Sequence, residues 1–389
     1  MLLALWIGAV AGCTSPLLPA ATPREVPDMA QSTQPNPAPV LLADGQKLRV
    51  VATTSLVGDV VGQVGGETIE LTQLLPIGAD PHSYQARPDD LRALNNAHVV
   101  FANGLHLEEA MQDLLDNLDP QISLVEVNTG VTALEFHPPG EEESKTNAES
   151  DHAESDHAES EHAESDHAES DHAGHDHAES DHAESDHAGH DHAESDHAES
   201  DHAESDHAGH DHAGFDPHTW MDVRNVMRWT ETISTTLAAL DPAHADVYAA
   251  NAARYQAQLE ELQAEIVAAV AQIPAERRNL VSDHRNLGYL AHAYGFTVAG
   301  TVVPSFSTLA SPSAQELARL QTQIAAEKIR AIFVDTTVNP AVAAQLAADT
   351  GVAVVPIYTH SLSDPSGPAA TYLDMMRYTV GQIVAALAD

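Results

Sequence analysis

Histidine is the residue through which this chain can do chemistry. It has 25 of them, 16 inside residues 149–213 and nine elsewhere. Near pH 7 most free imidazoles are neutral, because their pKa is about 6.5, and neutral imidazole suits zinc, copper and nickel. In open parallel sheets ligands collect beyond the carboxyl ends of strands. Of the nine histidines outside the tract, four follow strand-like runs: His82, His218, His284 and His360. His82 and His218 stand 136 residues apart, or 58 once the 78-residue insertion 137–214 is removed, and the next intervals are 66 and 76. Each interval is then about two strand-helix units. Four imidazoles from two lobes can close a tetrahedral zinc site with bonds of about 2.0–2.1 Å. The other five are explained without metal. His98 falls at a strand start, His106 and His292 on helices, His244 beside a helix junction, and His137 at the root of the insertion.

The elements that position these four alternate. Strands are expected at 47–54, 68–75, 98–102 and 122–127, with helices at 56–64, 88–96 and 107–118; Pro88 suits a first helical turn. Beyond the tract, 223–240 and 242–273 carry helical periodicity and meet at Asp241-Pro242. The second would be about 45 Å long at 1.5 Å per residue. It has no Gly or Pro between Ala243 and Val270, which suits a rigid connector that restricts lobe opening to small tilts and loop movements. Alternation resumes with strands at 279–282, 296–303, 330–334 and 352–357 and helices at 287–294, 313–324, 340–349 and 369–387. Strand and helix in turn predict an α/β fold. It has two lobes, each with a mostly parallel sheet flanked by helices, joined by a long rigid connector helix. The expected boundaries are an N-terminal α/β lobe at 47–241, the connector at 242–273 and a C-terminal α/β lobe at 274–389.

Composition sets further limits. The net charge is −43, of which 23 negative charges lie in residues 149–213, where no Lys or Arg occurs. A body left at −20 will not bind nucleic acid or anionic lipid by charge. The tract repeats Asp-His-Ala-Glu-Ser, and Ala is its only apolar residue. It cannot offset chain entropy by burial, so 137–214 is expected to be a disordered His-rich insertion that scavenges metal.

Residues 1–12 are apolar but too short to span a bilayer, which suits a signal peptide. Val10-Ala11-Gly12-Cys13 resembles the lipobox of bacterial lipoproteins, implying lipidation at Cys13 and a disordered tether at 13–46. As the only cysteine, Cys13 leaves no internal disulfide.

Four segments carry a wider resemblance: Gly78-Ala79-Asp80-Pro81-His82-Ser83-Tyr84, Asp216-Pro217-His218-Thr219-Trp220-Met221-Asp222, Ser282-Asp283-His284 and Tyr358-Thr359-His360-Ser361-Leu362. They look like the metal-binding motifs of the zinc- and manganese-specific solute-binding proteins of bacterial ABC importers, the ZnuA/TroA-like (cluster A-I) family. The similarity covers residues 47–388. It implies that His82, His218 and His284 are ligands, with His at the third position favouring zinc where many manganese-type members have Glu. The fourth position, often Asp in relatives, is His360 here; Asp364 or a water are the alternatives. Asp335, ending the 330–334 strand, is expected to support a ligand before acting as one.

The resemblance implies a monomeric, non-enzymatic protein, exported and lipid-anchored to the cell membrane at the surface or periplasmic side. It would capture Zn²⁺ between its lobes and deliver it to an ABC permease and its ATPase. Three alternatives remain: a manganese-type solute-binding protein taking Mn²⁺, a surface zinc buffer or adhesin, and a zinc hydrolase. A hydrolase would keep three ligands and an open position, and no His-Glu-x-x-His segment is present.

Overall fold

Two parallel sheets with the same strand order organise the chain. The computed structural model describes residues 24–25, 37–135 and 214–388. The expected signal peptide, Cys13, most of the expected tether and the His-rich tract with His137 lie outside the described residues.

In chain order the first lobe contains β1 (Arg24–Glu25), β2 (Leu48–Ala52), α1 (Ser55–Gly65), β3 (Ile69–Gln73), α2 (Pro88–Asn96), β4 (Val99–Ala102), α3 (Gln112–Asp116), β5 (Ser123–Glu126), β6 (Leu134–Glu135) and α4 (Val223–Leu240). The long helix α5 (Ala245–Val270) follows. The second lobe has β7 (Asn279–Ser282), α6 (Gly288–Tyr294), β8 (Thr297–Thr301), α7 (Ala314–Ala326), β9 (Ala331–Asp335), α8 (Ala341–Thr350), β10 (Ala353–Ile357) and α9 (Tyr372–Leu387). The first sheet runs β3-β2-β4-β5 and the second β10-β9-β7-β8, all pairs parallel. Each lobe therefore places its own first strand between its second and third, which opens a crevice at the carboxyl ends.

Local chemistry sets the element ends. Thr54, Asp222, Ser313 and Thr371 cap α1, α4, α7 and α9 by accepting first-turn N–H groups. Gly351, at φ 76°, stops α8 in the left-handed conformation that glycine adopts without penalty. Two expected helices, and with one of them the helical placement of His106, need correction. The helix expected at 107–118 reduces to a short turn and Gln112–Asp116, because Gly104, Leu105 and His106 all take positive φ and turn the chain away from helix. His106 thus lies on a loop. The helix expected at 242–273 begins as a 3-10 turn, and Asp241 spends its carboxylate on His244 Nδ1 (2.7 Å) and Tyr248 Oη (2.9 Å) rather than on a helix N–H. The antiparallel pairing of β1 with β6 had no sequence signal in a segment this short.

The core explains how the lobes relate. Alternate strand residues face opposite ways. Leu48, Val50 and Ala52 of β2, Val99 and Phe101 of β4 and Ala331 and Phe333 of β9 enter one continuous cluster with buried residues of α1, α4, α5 and α9. Val51, Val100 and Ala102 face a separate cluster under the first sheet, and Val281, Ile332 and Val334 another under the second. One hydrophobic core is thus shared by both lobes, with Tyr248, Tyr255, Leu259, Leu262 and Ile266 of α5 running through it.

Candidate metal centre

All four strand-end histidines reach one point. His82 follows β3, His218 follows the re-entry of the chain beside β6, His284 follows β7 and His360 follows β10. They are at most 1 % exposed. Their ligand-capable nitrogens all lie within 4.8 Å of one another. Nε2 of His218 is 3.3 Å from that of His82 and 3.1 Å from that of His360, and His284 Nε2 is 3.2 Å from His360 Nε2. Zinc bonds of about 2.0–2.1 Å in tetrahedral geometry put neighbouring nitrogens about 3.3–3.4 Å apart. Three of the six nitrogen pairs therefore stand at near-coordination spacing.

The same local device sets two of the four. In both Asp80-Pro81-His82 and Asp216-Pro217-His218 the aspartate Oδ1 accepts the histidine backbone N–H, at 3.1 and 2.9 Å. Asp216 also meets His218 Nδ1 at 2.7 Å, which leaves Nε2 free to face the cluster. That carboxylate packs against α6 so closely that a Cβ on Gly288 would lie 2.4 Å from its Oδ2. Asn103 Nδ2 donates to Pro217 O (3.1 Å), and Asn128 Oδ1 accepts from Thr219 Oγ1 (2.6 Å) and Trp229 Nε1 (2.7 Å), fixing the turn around His218. Trp220 Nε1 reaches Thr359 O at 2.7 Å, beside His360.

In the second lobe carboxylates at strand ends stand behind the rings. Asp283 Oδ2 is 3.2 Å from His284 Nδ1, and Asp335 Oδ1 is 3.6 Å from His360 Nδ1. Neither contact has hydrogen-bond geometry, and both Nδ1 atoms are buried without a hydrogen-bond partner. Asp335 instead anchors the backbone: its Oδ2 accepts from Thr359 N (2.5 Å), Thr359 Oγ1 (2.6 Å) and His360 N (3.1 Å).

Electrostatics follow from this packing. Burial, then the nearby His360 and His284, push His82 and His218 well below the usual imidazole value, so both are neutral. Burial also acts downward on His360, but the Asp335 carboxylate outweighs it and the net shift is upward. Burial raises the Asp216 carboxyl to about 7, against the lowering hydrogen bond from His218 N–H. A site with buried imidazoles and carboxylates behind them suits a divalent cation.

The sequence-predicted residues separate cleanly. Asp335 stands behind His360 and outside the nitrogen cluster, whereas Asp364 is exposed and takes no part in it. His98 accepts the Arg49 N–H and His244 faces Asp241. Sequence reasoning missed Asp216, Asp283, Asn103 and Asn128. The repeated Asp-Pro-His was the available signal for Asp216; nothing in one sequence marks the asparagines.

Comparison with known proteins supplies context. The model of the family described as zinc-uptake complex component A, periplasmic (ZnuA), matches residues 50–386. The manganese-binding lipoprotein MntA of Halalkalibacterium halodurans is 29 % identical over 347 residues, covering 89 % of this chain and 90 % of the relative. The periplasmic zinc-binding protein TroA of Treponema pallidum superposes with a TM-score of 0.65 at 24 % identity, covering 88 % of this chain and all of that one. A manganese-bound periplasmic metal-binding protein of Candidatus Liberibacter asiaticus gives 0.63 at 24 % identity, with the same coverage.

Proposed function

Since the chain belongs to the ZnuA family of metal-binding components of ABC importers, we propose that it captures Zn²⁺ between its lobes and delivers it to the importer's permease and ATPase. The observation that carries the choice of zinc is the donor set: His82, His218, His284 and His360 converge through nitrogen, and among the described residues no carboxylate belongs to the cluster. Manganese favours oxygen donors, whereas three or four neutral imidazoles suit zinc. His360 is the proposed fourth ligand, with Asp216 bonded to the His218 ring, Asp283 beside the His284 ring and Asp335 anchoring the His360 backbone. The manganese reading is supported by relatives described as manganese-binding, MntA among them, and its test is the same as that of zinc.

Capture begins with neutral nitrogens. His82 and His218 offer lone pairs without first losing a proton, and burial excludes competing water. The shared core opposes wide hinging, which leaves loop movements for entry and release. The lipid anchor at Cys13 holds the body near its permease, and the His-rich tract raises the local concentration of metal. A hydrolase is disfavoured, since a fourth nitrogen occupies the position that a catalytic zinc keeps for water. The same donor set would serve a surface zinc buffer, and loss of growth at low zinc when the gene is deleted separates import from buffering.

Competitive titration of zinc and manganese into the full chain tests the metal. One tight zinc site that manganese does not displace is expected; preferential manganese binding overturns the assignment.

A further inference from the structure

The loop that carries His82 is fastened to the opposite lobe by two hydroxyl groups. Ser361 Oγ accepts the Gly78 N–H at 2.7 Å, and Thr308 Oγ1 donates to Asp80 Oδ2 at 2.5 Å. Asp80 is the aspartate whose other oxygen holds the His82 backbone N–H, and Ser83 Oγ donates to the same Oδ2 at 3.0 Å.

Each tie leads to a different histidine of the second lobe. Ser361 directly follows His360, and the next residue, Leu362, donates its N–H to Ser55 Oγ at 3.0 Å. Thr308 belongs to a segment bonded on both sides of His284, through Val303 N to Asp283 O (2.8 Å) and Arg285 N to Ser305 O (2.9 Å).

The contrast with His218 is one of burial. Its turn is held by buried bonds in which Asn103 and Trp220 donate and Asn128 accepts. In the His82 loop Pro76, Ile77, Gly78 and Ser83 are exposed and Asp80 and Thr308 half-buried, so water can replace these ties as the loop lifts.

We propose that Thr308 and Ser361 are positioning residues for His82 and set the rate at which a bound ion leaves. The ion can leave when one ligand swings away, and His82 is the one whose supports come from the other lobe and lie near solvent. Tying this loop to the segments of His284 and His360 makes release depend on the register between the lobes. A permease that shifts that register by a small amount would break both ties together and free His82. The proposal rests on the four histidines being the ligands.

The test is dissociation of zinc from the full-length chain into excess chelator, followed by stopped flow. The slow phase that His82→Ala lacks reports the tight site. Thr308→Val, nearly isosteric, should speed that phase roughly 10- to 100-fold, the range for losing a hydrogen bond to a charged group, and Ser361→Ala roughly 2- to 10-fold. Thr308→Ser should restore the parent rate, and metal-free melting midpoints should stay close to that of the parent. Parent rates in both Thr308→Val and Ser361→Ala overturn the proposal while leaving zinc binding intact. Equal acceleration by Thr322→Val, whose hydroxyl only back-bonds Ala318 O within α7, overturns it as well. A parent chain with no slow phase, indistinguishable from His82→Ala, overturns the ligand assignment and this proposal with it.

Discussion

The two lobes share one strand order but secure their histidines differently. The first lobe uses Asp-Pro-His turns, in which a carboxylate grips the histidine backbone, and for His218 the ring as well. The second lobe uses carboxylates at strand ends: Asp283 behind His284, and Asp335 holding the amides of Thr359 and His360. Topology therefore decides where a histidine can stand, and local hydrogen bonding decides how firmly. Two matching sheets have produced one histidine on an exposed loop and three set in buried surroundings.

The largest expected effect breaks the comparison outright. His218→Ala and His284→Ala remove one proposed ligand from each lobe, and each should abolish the tight site in a zinc titration, well beyond the 10- to 100-fold typical of outer partners. His360→Asp is the informative exchange, because an oxygen donor in place of nitrogen should lower zinc affinity and raise manganese affinity in the same competition assay.

Next in size are the outer carboxylates. Asp216→Asn and Asp335→Asn should each weaken zinc binding about 10- to 100-fold. If backbone anchoring dominates in the second lobe, Asp335→Asn will also lower the melting temperature of the metal-free protein, as it leaves three donors around residues 359–360 poorly paired. Equal affinity losses with no difference in melting would erase the distinction between the lobes. Gly288→Ala sharpens it from the other side: its Cβ would collide with Asp216 Oδ2 at 2.4 Å and push the carboxylate off His218. Overpacking of this kind costs about 1–3 kcal/mol, measurable by denaturant unfolding.

A smaller effect is protonic. His360 is raised above the ordinary imidazole value, so just above pH 6.5 the metal-free protein holds a proton there that the unfolded chain has released. That contribution to stability is complete below about pH 6.5 and is lost as pH rises through the raised pKa. Zinc must displace the proton, and apparent affinity should rise with pH across the same window. Calorimetry in two buffers of different ionisation enthalpy would detect the release, and His360→Ala should remove it. His82 and His218, depressed by burial, add nothing above pH 6.5; below it the unfolded chain gains protons that they refuse, and metal-free stability falls. Smallest of all is deletion of residues 149–213, which should change the tight-site affinity by no more than about twofold while removing the weaker sites.

Much of this was legible in the sequence because it rests on period and punctuation. Helices 88–96 and 223–240 and strand 279–282 occur where their apolar patterns, Pro88 and turn residues placed them. The four histidines could be singled out because each follows a strand-like run; for His82, His284 and His360 that run is a strand of a parallel sheet, whose ends converge by topology, whereas His218 follows a single antiparallel bridge at Phe215. The short run Gly104-Leu105-His106 was illegible, since two ordinary residues adopt left-handed backbone there only because the surrounding packing imposes it. The side chains behind the histidines were hidden for a related reason. Asn103 and Asn128 act across sequence separations that no local pattern encodes.

The core shared by α1, α4, α5, α9 and both sheets has a consequence for how the protein comes apart. Neither lobe can be peeled away without exposing the apolar face of the other, so heat should dismantle them in a single cooperative transition with equal calorimetric and van't Hoff enthalpies. Because the tight site exists only in the folded form, its occupancy should shift that one transition upward by RT ln(1 + [L]/Kd). The melting curve of the whole molecule becomes a gauge of four nitrogen atoms.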